Sequence, residues 1–156
     1  MRKASARWRG GAHGGTRTVT TGSGALKQAS CAPGISFLEK SGTDPAELIA
    51  AAHAASFAVA LSRELRLAGS APGDIATTAT VTLEYVAAGW TIMNIHLNIV
   101  ARLPRVTQGR FIDATVRAKT SCLVSRLLRA NVSMNAKLEK SCGWRRASSG
   151  PPGSEG

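Results

Sequence analysis

Asp44-Pro45-Ala46-Glu47-Leu48-Ile49-Ala50-Ala51-Ala52-His53-Ala54-Ala55-Ser56-Phe57 is the stretch that decides the fold. Asp44 offers a side-chain oxygen for the first free amides of a helix. Pro45 suits the first helical position, and Glu47 stands three residues after the cap. Alanines, leucines and isoleucine then run on to Leu67, and Gly69 supplies the stop. From Ala50 to Leu61 the helix is apolar nearly all round, which predicts a buried element whose second half, with Arg63, Glu64 and Arg66, emerges into solvent.

Working outward, Ser70 to Asp74 reads as a turn. Thr77-Ala79-Val81-Leu83-Tyr85 and Ile92-Ile95-Leu97-Ile99 then lie on two apolar runs joined at Ala87-Ala88-Gly89, the pattern of an antiparallel hairpin. Helical patterning returns from Gly109 through Lys119 and again from Ser121 to about Ala130. Val132-Met134-Ala136-Leu138 follows as a last strand. Upstream, residues 1–30 carry short alternating stretches such as Arg17-Thr18-Val19-Thr20-Thr21, with Gly22-Ser23-Gly24 as a turn, and residues 31–43 read as a loop. The sum is an α+β domain over residues 1–140, followed by a Gly/Ser/Pro-rich tail, 141–156, expected to be disordered.

A hydrophobic content of 44% in 156 residues excludes a chain disordered throughout and is enough for one core. The net charge of +11 is uneven. Residues 1–30 hold six bases and no acid, residues 31–101 are mildly acidic, and residues 102–146 are strongly basic again. A basic terminus is commonly a solvated face, and no motif or aromatic platform for nucleic acid accompanies it, so a nucleic-acid partner is disfavoured. The apolar run Leu48–Leu61 is fourteen residues, against the ~20 a bilayer span needs, so no membrane partner is expected. No apolar segment follows the N-terminal Met1-Arg2-Lys3, and Cys31, Cys122 and Cys142 form neither a paired set nor a zinc pattern. A cytoplasmic protein with reduced thiols is the expectation.

Cys122 is the thiol of most interest. With Ser121 as N-cap it falls in the first turn of a helix, where the amides favour an anion. It reads either as a reactive or resolving cysteine or as a small buried hydrophobe. His53 and Ser56 share one face of the apolar helix, but no acid is placed to orient the imidazole, so a core histidine is the simpler reading. Gly10-Gly11 and Gly14-Gly15 match no phosphate loop, and His13, His53 and His96 are too scattered for a metal site.

Several strings resemble the OsmC/Ohr family (osmotically inducible protein C and organic hydroperoxide resistance protein). They are Ala6-Arg7-Trp8-Arg9-Gly10, Thr18-Val19-Thr20, Ser23-Gly24-Ala25-Leu26-Lys27, then Gly42-Thr43-Asp44-Pro45-Ala46-Glu47-Leu48-Ile49 running into Ala51-Ala52-His53-Ala54-Ala55-Ser56-Phe57, and Ala118-Lys119-Thr120-Ser121-Cys122-Leu123-Val124-Ser125. They occur in order over roughly residues 5–140 and are closer to the OsmC branch than to the Ohr branch. The resemblance implies an intertwined homodimer, with curved antiparallel sheets around two long buried central helices and sites at the subunit interface. It also implies a thiol peroxidase acting on organic or hydrogen peroxide. One cysteine becomes a sulfenic acid, a second condenses with it, and an external dithiol reduces the pair without a cofactor.

On this sequence the attacking cysteine of the family falls on Ser56, which forms no sulfenic acid. The activating arginine falls on Ser36 and the family glutamate on Ala46, with Glu47 adjacent; Cys122 stands at the second cysteine. Arg17 and Cys31 are candidate replacements for the lost groups. The expectation is therefore a hydroperoxide-detoxification and stress-response scaffold impaired in two-cysteine turnover, its status as an enzyme open. The alternative is a non-catalytic homologue that binds an apolar ligand or a partner against Leu48, Ile49 and Phe57.

Overall fold

A computed structural model describes residues 1–10, 15–32, 42–70 and 73–139. Two three-stranded sheets and three helices make up the α+β fold. The N-terminal sheet is β1 (Ala4–Arg9), β2 (Thr16–Thr21) and β3 (Ala29–Ser30), all antiparallel. Its Arg17 guanidinium lies 4.1 Å over the Trp8 ring. The second sheet is β4 (Asp74–Val86), β5 (Gly89–Arg102) and β6 (Asn131–Glu139), covered by α1 (Pro45–Leu67), α2 (Gln108–Ser121) and the short α3 (Leu123–Leu127).

α1 begins as the sequence predicts. Asp44 is extended and its carboxylate accepts the Glu47 amide at 2.7 Å. At the other end Gly69 takes φ +74°, and the amides of Gly69 and Ser70 bond the carbonyls of Arg66 and Leu65 at 3.0 and 2.9 Å. That is a Schellman stop, which a Cβ at Gly69 would strain. Gly42, just before the cap, is also required: at φ +95° an added Cβ would meet the Ser30 carbonyl oxygen at 2.5 Å. This close approach ties β3 to the start of α1, where Thr43 N donates to Ser30 O and Ala32 N to Thr43 O.

The core lies between α1, α2 and the inner face of the second sheet. Phe57, Leu61 and Phe111 are fully buried against Ile95, Leu97, Ile99 and Ala101, while Thr78, Thr80, Thr82, Asn94, His96 and Asn98 face outward. The hairpin register shifts between Thr82 and Leu83, leaving Met93 as an extra residue. That bulge explains why Ile92 and Ile95 share a face although they are three positions apart.

Four expectations need correction. The second sheet is mixed rather than antiparallel, because β6 pairs parallel to β5 (Asn94 with Asn131 through Arg102 with Glu139). Two helices intervene between these strands, and a crossover of that kind returns the chain in the same direction. The predicted helix from Ser121 to Ala130 is shorter, and Ser121 is not its cap: Ser121 is the last residue of α2, and Cys122 is both the C-cap of α2 and the N-cap of α3. α1 is not covered all round within one chain, since Ala51, Ala52, Ala55 and Val59 are exposed on the face away from Phe57 and Leu61. Finally, α1 as a whole, 23 residues, is long and apolar enough to cross a membrane by length and composition, which the fourteen-residue run was not; here it packs on β4 and α2 as the core helix. The expected tail, 141–156, lies outside the described residues, as do Ser36, His13, Cys142 and most of the 31–43 loop.

Candidate functional site

Two elements build the site. α1 contributes His53 and Ser56, one helical turn apart, and the α2–α3 joint contributes Cys122 and Ser125. The joint exists because Cys122 leaves helical geometry at φ −64°, ψ 124°. This turns the chain between two helices and points the side chain into the core. Glu64, further along α1, holds the joint in place: its carboxylate accepts the Ser121 hydroxyl at 3.3 Å and pairs with Arg117 Nε at 3.4 Å.

At the centre, the Cys122 thiol donates to Ser56 Oγ at 3.3 Å. Cys122 is fully buried and Ser56 half-buried. Burial by itself pushes the thiol up. The hydroxyls of Ser125 and Ser56 and the amides of Ser125 and Val124 act against it and bring the thiol below its ordinary value. The neutral thiol makes no capping bond of its own to α3, so the amides of the N2 and N3 residues, Val124 and Ser125, are free to favour the thiolate.

His53 is also fully buried. Its Nε2 lies 2.8 Å from Ser125 Oγ, and its Nδ1 is buried without a hydrogen-bond partner. Burial holds the imidazole below the usual histidine value, so the ring is neutral. His53 is thus a core histidine, as the sequence reading favoured, but one bonded to the residue beside the thiol. Ser125 is the residue that sequence reasoning missed. The signal for it was the Cys-x-x-Ser spacing at a helix start, which sets the serine at N3 facing the cap residue.

The other candidates are not brought together with this centre. Glu47 sits in the exposed first turn of α1, nine residues before Ser56 and so ~13.5 Å away along the axis. Cys31 is bridged to Thr43 ahead of α1, roughly 15–20 Å from Ser56 along the helix, so within one chain it is not brought to the Ser56–Cys122 contact. Arg17 is in the N-terminal sheet against Trp8. Phe57 is fully buried in the core and offers no wall to a ligand. Cavities of about 290 and 430 Å³ lie elsewhere, on the N-terminal sheet at Arg7 and Arg9 and beside Met93 and Leu128. Among the described residues no cluster of His, Cys, Asp and Glu could hold a metal ion.

The site is a buried thiol tuned toward its anion, with a serine hydroxyl at contact distance. The comparisons with known proteins place the whole chain. The family model described as OsmC-like protein matches residues 38–137, which include α1 and the Cys122 joint. The peroxiredoxin OsmC of Escherichia coli K12 is 39% identical over 138 residues, covering 88% of this chain and 96% of that protein. Among solved structures, an OsmC-like protein of unknown function from Vibrio cholerae superposes with a TM-score of 0.74 at 14% identity, covering 88% of this chain and 99% of that one. The organic hydroperoxide resistance protein OhrB of Bacillus subtilis does so at 0.62 and 24% identity, covering 88% and 98%. These two likenesses establish the fold, the sequence match extends over nearly all of a curated relative, and the chain belongs to the OsmC-like protein family.

Proposed function

We propose that this chain is a hydroperoxide-handling protein of the OsmC peroxiredoxin type in which two-cysteine turnover is lost, because Ser56 occupies the position of the attacking cysteine. The observation that carries the reading is the 3.3 Å contact between Ser56 Oγ and the Cys122 sulfur, both inside the span 38–137 that the family model matches. A sulfur at position 56 would stand within bonding reach of Cys122 after a small rotamer adjustment. Such a sulfur could attack a hydroperoxide, take its terminal oxygen and release the alcohol. Cys122 would then displace water from the sulfenic acid, and an external dithiol would reduce the disulfide. Serine has no such oxidation state. The positions matching the activating arginine and the glutamate, Ser36 and Ala46, lack those groups too, so a thiol restored at position 56 alone would turn over slowly.

The proposed form is a cytoplasmic homodimer, supported by the exposed α1 face and by the exposed Ile112, Val116, Leu123 and Leu127 of α2 and α3. Hydroperoxide consumption with a dithiol reductant tests the proposal. We expect the natural chain to show no catalytic turnover and Ser56→Cys to gain it. Non-reducing peptide mapping of that variant should also find a disulfide between the introduced thiol and Cys122. Sustained turnover by the natural chain would overturn the loss of function. A Ser56→Cys chain that forms no disulfide under peroxide would overturn the site.

A further inference from the structure

The N-terminal sheet has two unlike faces. On one, Ala4, Ala6 and Trp8 of β1 stand opposite Thr21, Val19 and Arg17 of β2, and Ala29 of β3 lies beside Val19. On the other, Arg7 and Arg9 stand opposite Thr18 and Thr16, with Thr20 next along β2. These polar side chains, with Gln28 at the edge, line a cavity of about 290 Å³. We propose that this cavity binds the phosphate group of a free small molecule, held by Arg7 and Arg9. The site lies on other elements than the Ser56–Cys122 contact and does not depend on the hydroperoxide reading.

Strand alternation puts Arg7 and Arg9 on one face of β1, ~7 Å apart along the strand. Like charges so placed repel each other. Among the described residues neither guanidinium has an ion pair or a side-chain hydrogen bond. Residues 1–30 hold six bases and no acid, so the sheet itself supplies no counter-charge, and an anion in the cavity would supply it.

The donors select the kind of anion. A guanidinium only donates, through a planar fork. Two forks and the threonine hydroxyls exceed what the two oxygens and single charge of a carboxylate can use. They match the three oxygens and charge of about −2 on a phosphate monoester. Thr20 is already set for donation: its Oγ accepts the Gln28 amide at 3.0 Å, which leaves its own hydrogen for a ligand. Gln28 holds φ +50°, uncommon for a residue other than glycine, and that bond ties it to the cavity wall. The sheet favours a small ligand over a nucleic acid, because its one aromatic ring, Trp8, lies on the opposite face beneath Arg17 and leaves no stacking surface beside the arginines. That opposite, more apolar face is also the one a second copy would cover, so the cavity stays open in the proposed dimer.

Calorimetric titration of the full chain with inorganic phosphate, in a phosphate-free buffer at low salt, reads the site directly. One phosphate should bind per chain. Arg7→Gln and Arg9→Gln should each weaken binding by roughly tenfold or more, the worth of a charge-assisted hydrogen bond. Changing both arginines to lysine, which keeps the charge and removes the fork, should also weaken it. Arg63→Gln, which removes the same charge from an exposed position of α1, should leave it unchanged. No binding at millimolar phosphate, equal weakening by Arg63→Gln, or full binding by the lysine variant would each overturn the proposal. So would loss of binding to the natural chain at ~0.15 M salt, which would mark a general charge effect. A single-stranded oligonucleotide and vesicles of phosphatidylcholine with phosphatidylserine separate the other sources of phosphate. Retention of either through Arg7 and Arg9 that inorganic phosphate does not displace would overturn the small-molecule site, and displacement or no retention would support it.

Discussion

At the scale of single residues, the site is a contest between burial and hydrogen bonding, and its two titratable members come out differently. Cys122 is buried but receives donors, so its anion is favoured. His53 is buried, and desolvation disfavours its cation. The histidine carries a consequence for stability. Its folded pKa lies below the unfolded value of 6.5, so between the two the unfolded chain binds a proton that the native chain refuses. Stability from this residue is present above pH 6.5 and is lost as pH falls toward the folded value, with a slope of up to about 1.4 kcal/mol per pH unit. Urea unfolding of the natural chain should therefore weaken from pH 7 downward, and His53→Gln should flatten that slope. Equal slopes in both chains would mean that His53 is not held neutral. Ser56 and Cys122 were singled out together by the family resemblance, and spacing alone did not pair them. The His53–Ser125 bond was not legible, because it joins residues 72 positions apart and no local pattern specifies which hydroxyl a buried imidazole will meet.

Among the elements, those with strong local chemistry are the ones legible in advance. α1 has its cap, its proline and its glycine stop in the expected places, and the hairpin has its alternation. Where local signals compete, spacing does not choose between them. Ser121 is as good a cap as any, yet its hydroxyl is taken by Glu64 and the Ala118 carbonyl while Cys122 makes the break. The direction of β6 depends on tertiary connection and not on its own alternation, so only the intervening helices hinted at it. The cap of α1 provides the clean test at this scale. Asp44→Ala removes the 2.7 Å bond to the Glu47 amide and leaves the core untouched. It should cost about 1 kcal/mol in chemical denaturation, with Asp44→Asn losing much less. A loss within error of zero would show that the helix start is held by its tie to β3 and not by the carboxylate.

For the whole molecule, the unevenness of the chain becomes an argument about assembly. Every residue of β1 is exposed in the single chain, Trp8 among them, and the Arg17–Trp8 stack stands on the N-terminal sheet. A small sheet with so little covered surface gains too little to offset the entropy of ordering it. Meanwhile α1, α2 and α3 leave Val59, Ile112, Val116, Leu123 and Leu127 exposed. The proposed dimer would answer both problems, with a second copy laying its surface over these helices and receiving cover for its own strands. The +11 charge is then carried mainly by solvated faces of the two basic ends. If that is the working form, folding and association are linked, and the melting temperature must rise with protein concentration, as it does not for a monomer. Sedimentation should give twice the chain mass at micromolar concentration, and Val59→Asp with Val116→Asp should shift it toward monomer and lower the melting temperature. A chain that sediments as a monomer, melts independently of concentration and still shows an ordered N-terminal sheet would remove the dimer from the proposed function. The Ser56–Cys122 contact, made within one chain, would then be the whole of the site.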